Sequence, residues 1–249
     1  MPDFHKKLSI TLLCFLILSA CAHAPEREAR PPMMKHRPLP KVDRNGMPLT
    51  DTGPGKPVPP AGTVYQAIAS WYGPGFQGHR TASGEVFDQD GLTCAHKTYP
   101  FGTKLKIRHP KTGKECVVTV NDRGPFVLDV DLDISRGASR AIGRLDTGPV
   151  IVQEIGRDIS YIKEVKIGDV SGRGFYRVQV GAFSDPENAE HLRLGLELGY
   201  QDVRISKAQI NGVIYNRVQA GSFRERRPAM ELADKLAREG YPAWVVRAR

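Results

Sequence analysis

The sequence contains few of the residues on which metal and nucleotide chemistry depend. It has four cysteines, no CxxC pair and no HExxH sequence, and its histidines are scattered, as His79, His96 and His109 show. This pattern disfavours a zinc site. No Gly-rich phosphate loop follows a strand, so nucleotide binding is not indicated either. We therefore expect no metal and no other cofactor.

Aromatic residues are missing between Phe15 and Tyr65, whereas proline recurs throughout that stretch. A segment of this composition cannot bury enough apolar area to offset the loss of chain entropy on folding. We predict that residues 21–64 form a disordered, Pro-rich and largely extended tether.

Long apolar runs are also rare, and the clearest one is too short to span a bilayer as a helix. It covers Leu8–Leu18 and follows the basic residues His5–Lys7, which is typical of a signal peptide over residues 1–20. The sequence LSAC that follows resembles a bacterial lipobox. That resemblance implies cleavage before Cys21, acylation of this cysteine and attachment to a lipid membrane. An ordinary signal peptide that happens to precede a cysteine is the less favoured alternative.

Two further features bear on location and partners. Ala22 stands where an Asp would retain a lipoprotein in the inner membrane of enteric bacteria, which implies the periplasmic side of the outer membrane.

The net charge is +9 at pH 7, without a long Lys/Arg block. Basic chains often bind nucleic acid, but we expect no nucleic-acid partner here because the signal peptide predicts export. Muramic-acid carboxylates or anionic lipid headgroups are better counter-charges.

Residues 65–166 show the alternation of short strands. Tyr65, Ala67, Ala69 and Trp71 share one face of a strand, and a short helix capped by Ser135 is expected after several such strands. Short strands, frequent Gly turns and a single helix are typical of a compact β-barrel.

Four Gly-rich turns between residues 71 and 126 present Glu85, His96 and Asp122. Their motifs are SGE, AHK, PFGT and NDRGPF. Together they closely resemble the rare lipoprotein A family, septal-ring lytic transglycosylases of bacterial cell walls. The resemblance covers residues 65–166 and implies a six-stranded double-psi β-barrel that carries the catalytic site.

The C-terminal part contains an internal repeat, in which RVQVGAF at Arg177–Phe183 recurs as RVQAGSF at Arg217–Phe223. Each copy leads into a helix and then a strand. The order βαββαβ predicts a small α+β domain with a four-stranded antiparallel sheet and both helices on one face. Residues 172–249 thereby resemble the SPOR domain, which implies binding to peptidoglycan glycan strands stripped of their stem peptides. An RNA-recognition fold shares this order, but the paired aromatics that stack bases are missing.

We place four side chains of this domain on the open sheet face, where they would contact sugars: Gln179, Gln219, Ser222 and Trp244. In the alternative interpretation, the two glutamine side chains contact only solvent at the sheet surface. For Trp244, the open face and the core are equally supported by the sequence.

Asp122 is the candidate acid–base residue. It continues the face of Cys116 and Val118 at the end of a strand, so an apolar environment should raise its pKa, as a general acid near neutral pH requires. The family resemblance likewise implies a catalytic Asp in NDRGPF. Taken alone, the residues are more typical of an Asp that organises a turn.

Two other side chains belong to the predicted catalytic set. Glu85 would stabilise an oxocarbenium-like centre or act on Asp122 as a like-charged neighbour, and taken alone it is a solvated loop carboxylate. His96 would hydrogen-bond Asp122 or bind substrate, and taken alone it is a buried barrel histidine. Asp133 is expected to be structural, as a cap of the short helix. Cys94 and Cys116 form either a disulfide or two separate thiols.

These observations favour an endolytic lytic transglycosylase that acts on peptide-free glycan strands at the division septum, with divisome proteins as further partners. A catalytically inactive septal peptidoglycan-binding lipoprotein, or an expansin-like wall-loosening protein, is the alternative.

Overall fold

The computed structural model describes residues 59–72, 74–127, 129–171 and 173–248. The predicted signal peptide, the acylation site at Cys21 and residues 21–58 of the predicted tether lie outside the described residues. Among the residues described, none of the helices is both long and apolar enough to cross a membrane. The described chain contains a closed barrel and a second, five-stranded sheet.

The barrel has the six strands that the sequence predicts, closed in the order β1-β5-β2-β4-β3-β6. Its elements are β1 (Val64–Trp71), β2 (Thr93–His96), β3 (Thr103–Arg108), β4 (Glu115–Asp122), β5 (Leu132–Ile134), α1 (Arg136–Ala141) and β6 (Thr147–Arg157). Two pairs are parallel, β1 with β5 and β2 with β4. Helix α1 begins after Ser135, whose side chain accepts a hydrogen bond from the Ala138 amide, as expected for the N-cap.

The barrel interior is built by alternation along each strand. Every second residue of β3 and β4 is fully buried, as Leu105, Ile107, Val118 and Val120 show. Side chains of a strand point alternately to opposite faces. The burial pattern of β4 changes at Asn121, which is buried, and the pairing with β2 shifts register there. Asp122 follows, half-buried, at the end of the strand.

The second domain has five strands in the order β7-β11-β8-β10-β9. Its elements are β7 (Val165–Ile167), β8 (Phe175–Phe183), α2 (Pro186–Glu197), β9 (Arg204–Ile210), β10 (Val213–Phe223), α3 (Arg226–Glu239) and β11 (Ala243–Ala248). The βαββαβ order is confirmed, but the prediction of four strands was wrong. The additional strand β7 lies parallel to β11. It has only three residues, too few for alternation to be recognised, and it begins inside the range that we had given to the barrel.

The glycines of the internal repeat allow each helix to approach the sheet. A Cβ atom at Gly181 would lie 2.8 Å from Cδ2 of Leu192 on α2, and one at Gly221 would lie 2.8 Å from Cδ2 of Leu232 on α3. The nearest atoms are those of the Phe183 and Phe223 rings, so a side chain at either glycine would displace a phenylalanine ring and the leucine that packs beside it. Both copies of the repeat therefore keep a glycine where a helix packs closely on the sheet.

The two domains are joined by backbone hydrogen bonds as well as by side chains. The Phe101 amide donates to the Glu239 carbonyl at 2.9 Å, and the Lys163 amide donates to the Ala237 carbonyl at 3.0 Å. Backbone bonds of this kind fix the last turn of α3 against two barrel-side segments. The second domain is therefore docked on the barrel.

Gly195 on α2 provides a test of this docking. A Cβ atom there would lie 2.8 Å from both Cβ and Cγ of Arg123 in the barrel, whereas one at Gly199 meets no atom within 4 Å. We expect Gly195→Leu to lower the free energy of unfolding by about 1–3 kcal/mol, the usual cost of overpacking. Gly199→Leu, the matched control, should change it little. Thermal and urea unfolding of both variants would decide; equal losses would show that Gly195 does not mark a tight contact.

Candidate active site

Asp122 ends β4, and its carboxylate is held by two backbone amides. The Ala82 amide donates to Oδ1 at 2.9 Å, and the Arg123 amide donates to the same oxygen at 2.8 Å. Within the described part of the chain, Oδ2 receives no hydrogen bond. Burial raises the pKa of Asp122 above its usual range, against the lowering effect of these two amides and of the His191 and Arg123 charges. The side chain is thus an oriented carboxyl that is protonated at a higher pH than an ordinary Asp.

The SGE turn brings the Ala82 amide to this place. The Thr81 amide donates to the Glu85 carbonyl at 2.8 Å, which closes the turn, and Gly84 within it has a φ of +93°. A positive φ of this kind is unfavourable for residues with a Cβ atom. The Ser83 amide donates to the Asn121 carbonyl at 3.2 Å. The turn is therefore fastened to the end of β4, directly beside the acid.

Glu85 belongs to the same set of motif turns as Asp122, but it makes different contacts. Its carboxylate accepts a hydrogen bond of 2.8 Å from Nδ2 of Asn121 and, in addition to burial, helps as a neighbouring charge to raise the pKa of Tyr161. The residue is exposed. Because burial is the main cause of the raised pKa of Asp122, a like charge on Glu85 is not needed to explain it. The contacts favour a role for Glu85 in holding Asn121 and the turn.

His96 ends β2, whose neighbour Ala95 lies opposite Asp122 in the parallel pair with β4. Its Nδ1 atom accepts hydrogen bonds from the amides of Thr98 at 3.1 Å and Tyr99 at 2.9 Å. Burial, aided by the Arg123 charge, lowers the pKa of His96 to about 3. The imidazole is therefore neutral, with its proton on Nε2.

A neutral His96 can donate a hydrogen bond through Nε2, but it does not exchange a proton with Asp122. No hydrogen bond between the two side chains occurs among the residues that the structure describes. Of the two predicted roles, substrate binding is the one that this geometry favours.

Two residues of the site were missed by sequence reasoning. Arg123 is part of NDRGPF but was given no role; its guanidinium lies 3.8 Å from the ring centroid of Phe101 and 4.9 Å from that of Tyr241, and its Nε donates to the Tyr241 hydroxyl. His191 lies on α2 of the second domain and acts electrostatically on Asp122. The motif could have indicated Arg123, but no signal in the sequence places His191 near the barrel.

The region around Asp122 is lined by aromatic rings. Phe76 follows β1, Phe126 follows β4, and the His191 ring lies 6.4 Å and 6.3 Å from them, respectively, between ring centroids. Tyr72 lies 6.1 Å from Phe76. Apolar and aromatic walls with few polar groups are typical of ligand sites.

The remaining predicted barrel residues have structural surroundings. Cys94 and Cys116 are free thiols, and they are not cross-strand partners, because Cys94 pairs with Val120 and Cys116 with Ile107. Asp133 accepts a hydrogen bond from the Ser70 hydroxyl, and the helix cap that we expected from it is supplied by Ser135. In the part of the chain covered by the structure, no group of three or more His, Cys, Asp or Glu side chains is placed to hold a metal ion.

The open face of the second sheet carries a row of side chains across all five strands. In register order the row consists of Lys166, Trp244, Gln179, Gln219 and Arg204. Trp244 is 40% exposed, whereas Gln219 is only 3% exposed and accepts a hydrogen bond of 3.4 Å from Arg204.

The other predicted position of this face, Ser222, is engaged within the protein. Its hydroxyl accepts a hydrogen bond of 3.1 Å from Arg177, which lies two residues before Gln179 on β8. The accessible ring and amide of the predicted set are therefore those of Trp244 and Gln179.

Family models match both domains. The model described as "Lytic transglycolase" (DPBB_1) matches residues 64–153, and the SPOR domain model matches residues 172–247. The fold and the site thus define a lytic transglycosylase of the double-psi barrel class that carries a SPOR domain.

The curated relatives are consistent with this class. "Endolytic peptidoglycan transglycosylase RlpA" of Campylobacter jejuni is 35% identical over 205 residues, which cover 75% of this chain and 73% of the relative. The chain belongs to this RlpA family. The probable RlpA of a Synechocystis species is 56% identical over 81 residues, 32% of this chain but only 25% of that relative. The crystal structure of the RlpA SPOR domain from Pseudomonas aeruginosa is 33% identical and covers 30% of this chain and 100% of that chain, with a TM-score of 0.26.

The buried carboxyl has a consequence for stability. The pKa of Asp122 is higher in the folded protein than in the unfolded chain. Its protonation therefore contributes to the free energy of unfolding fully below the unfolded pKa, and this contribution is lost as pH rises through the folded pKa. Asp122→Asn stays neutral at all pH values. We expect this variant to be more stable than the wild type at neutral pH and the difference to shrink on acidification, as measured by urea unfolding at several pH values. A constant difference would contradict the raised pKa.

Proposed function

We propose that the chain is an endolytic murein transglycosylase that cleaves the β-1,4 bond between MurNAc and GlcNAc in peptide-stripped glycan strands at the division septum. The observation that carries this proposal is the oriented, desolvated carboxyl of Asp122. The family to which the chain belongs supports the reaction class. The specificity for denuded strands and the septal location are inferred from the SPOR domain.

The reaction needs one acid–base group. The proton on Oδ2 of Asp122 passes to the glycosidic oxygen as the bond from C1 of MurNAc to that oxygen breaks. The C6 hydroxyl of the same MurNAc then bonds to C1, and its proton returns to the Asp122 carboxylate. The products are a 1,6-anhydro-MurNAc end and a free GlcNAc hydroxyl, with no water consumed. A raised pKa supplies the acid form that the first step requires.

The neighbouring groups act on the substrate and on the acid differently. The Nε2–H group of the neutral His96 can donate to a sugar oxygen without competing for the Asp122 proton. The amides of Ala82 and Arg123 keep Oδ1 occupied, so that proton transfer is directed to the other oxygen. Glu85 stabilises the turn that supplies one of these amides.

Location and attachment follow from the N-terminal sequence. We propose that Cys21 is acylated and anchors the protein on the periplasmic side of the outer membrane, with the Pro-rich tether reaching the wall. Divisome proteins are proposed partners at the septum. The positive net charge suits anionic wall or lipid groups.

Replacement of the acid tests the chemistry. Asp122→Asn keeps an oxygen for the two amides but has no proton to donate, so release of 1,6-anhydro products from amidase-treated sacculi should fall by about 10²- to 10⁴-fold, the usual contribution of general acid–base catalysis. Mass spectrometry of the products measures this. The exposed Asp146→Asn is the matched control and should release products as the wild type does. Equal release by Asp122→Asn would remove Asp122 from the mechanism, and no release by any protein would favour the wall-binding alternative.

The open sheet face is tested by binding. Trp244→Ala removes the exposed ring that would stack on a sugar, and we expect binding of denuded strands to weaken about tenfold or more, equivalent to about 1.4 kcal/mol. Pull-down with denuded and with peptide-bearing sacculi would show the loss and its selectivity. Ile214→Ala, at an exposed position of β10, serves as control. Unchanged binding by the Trp244 variant would move the glycan site elsewhere.

A further inference from the structure

We propose that the SPOR domain contributes a substrate-binding residue to the candidate active site: His191 of α2 forms, with Phe76 and Phe126 of the barrel, an aromatic subsite for a sugar ring beside Asp122. This inference deepens the proposed function and rests on it.

The first argument is position. The His191 ring lies within aromatic contact distance of both phenylalanines, at 6.4 Å and 6.3 Å between centroids. These phenylalanines come from different barrel loops, one after β1 and one after β4. His191 therefore bridges the two loops from the opposite domain, and without it the aromatic lining would be interrupted.

The second argument is proximity to the acid. The charge of His191 is among the influences that lower the pKa of Asp122, against the larger effect of burial. His191 thus lies near the carboxyl that the proposed reaction uses. It is only partly buried, and Phe76 is 40% exposed, so the subsite is open to a ligand.

The third argument is that the docking is specific. Arg123, which follows the acid, donates to the Tyr241 hydroxyl of the SPOR domain and packs its stem on Gly195 of α2. Gly195 follows His191 by one turn of the same helix. The contact that fastens α2 to the barrel therefore also fixes the position of His191.

The chemistry of the lining suits a pyranose ring. Aromatic faces offer apolar area to the C–H faces of a sugar, and the imidazole adds a hydrogen-bonding edge. Such a contact exists before and during bond cleavage, so its loss should raise KM and leave kcat nearly unchanged. The acid itself would show the opposite pattern.

The experiment compares steady-state kinetics of the full-length protein and its variants on soluble denuded strands, with anhydro ends counted by mass spectrometry. His191→Ala should raise KM about tenfold with kcat within about twofold of the wild type. His191→Phe retains a ring and should keep KM close to the wild-type value. Glu187→Ala, an exposed position on the same helix, is the control, and thermal unfolding confirms that each variant is folded.

Two results would overturn the inference: an unchanged KM for His191→Ala, or an equal rise in KM for His191→Phe. If even the wild type releases no anhydro ends, the proposed function fails while the subsite is still tested by binding. In a Gln179→Ala/Trp244→Ala background, which removes the sheet-face contacts, the Kd for denuded strands should rise about tenfold on adding His191→Ala. No rise there would reject the subsite as well.

Discussion

Two backbone hydrogen bonds to a single oxygen of Asp122 set the geometry on which the site depends. The amides of Ala82 and Arg123 both reach Oδ1, so the carboxyl cannot rotate freely and its other oxygen is left for a proton. Each bond favours the charged form, and burial opposes them with a larger effect. The acid is thereby oriented by groups that favour its ionised form, while burial raises its pKa. An exposed Asp with the same two bonds would be equally oriented, but its pKa would be lowered.

Arg123 links this constraint to the rest of the molecule. Its amide holds the acid, while its guanidinium packs against the rings of Phe101 from the barrel and Tyr241 from the second domain, which also contact each other. If the domains separated, the guanidinium would keep its contact with Phe101 of the barrel but would lose its contact and hydrogen bond with Tyr241. The orientation of the acid and the docking of the SPOR domain therefore depend on one residue. This coupling gives a physical reason for an Arg directly after the acid.

The sequence predicted what depends on local pattern. Alternation and Gly turns indicated the barrel, the repeated RVQxGxF motif indicated the second domain, and the motif turns made Asp122 the candidate acid. What it missed depends on contacts between distant segments: β7 is too short to show a period, and nothing in α2 indicates that His191 approaches the barrel. Trp244 was ambiguous because Val residues follow it; only its register opposite Gln179 assigns it to the open face.

Docked domains change how the two glycan contacts cooperate. With a flexible linker, a strand held by one domain reaches the other at an effective concentration set by linker length. Here backbone bonds between Phe101 and Glu239 and between Lys163 and Ala237 remove that freedom. A glycan strand bound to the sheet face as proposed would therefore meet the Asp122 site in a fixed relation, and the gain in affinity would depend on strand geometry.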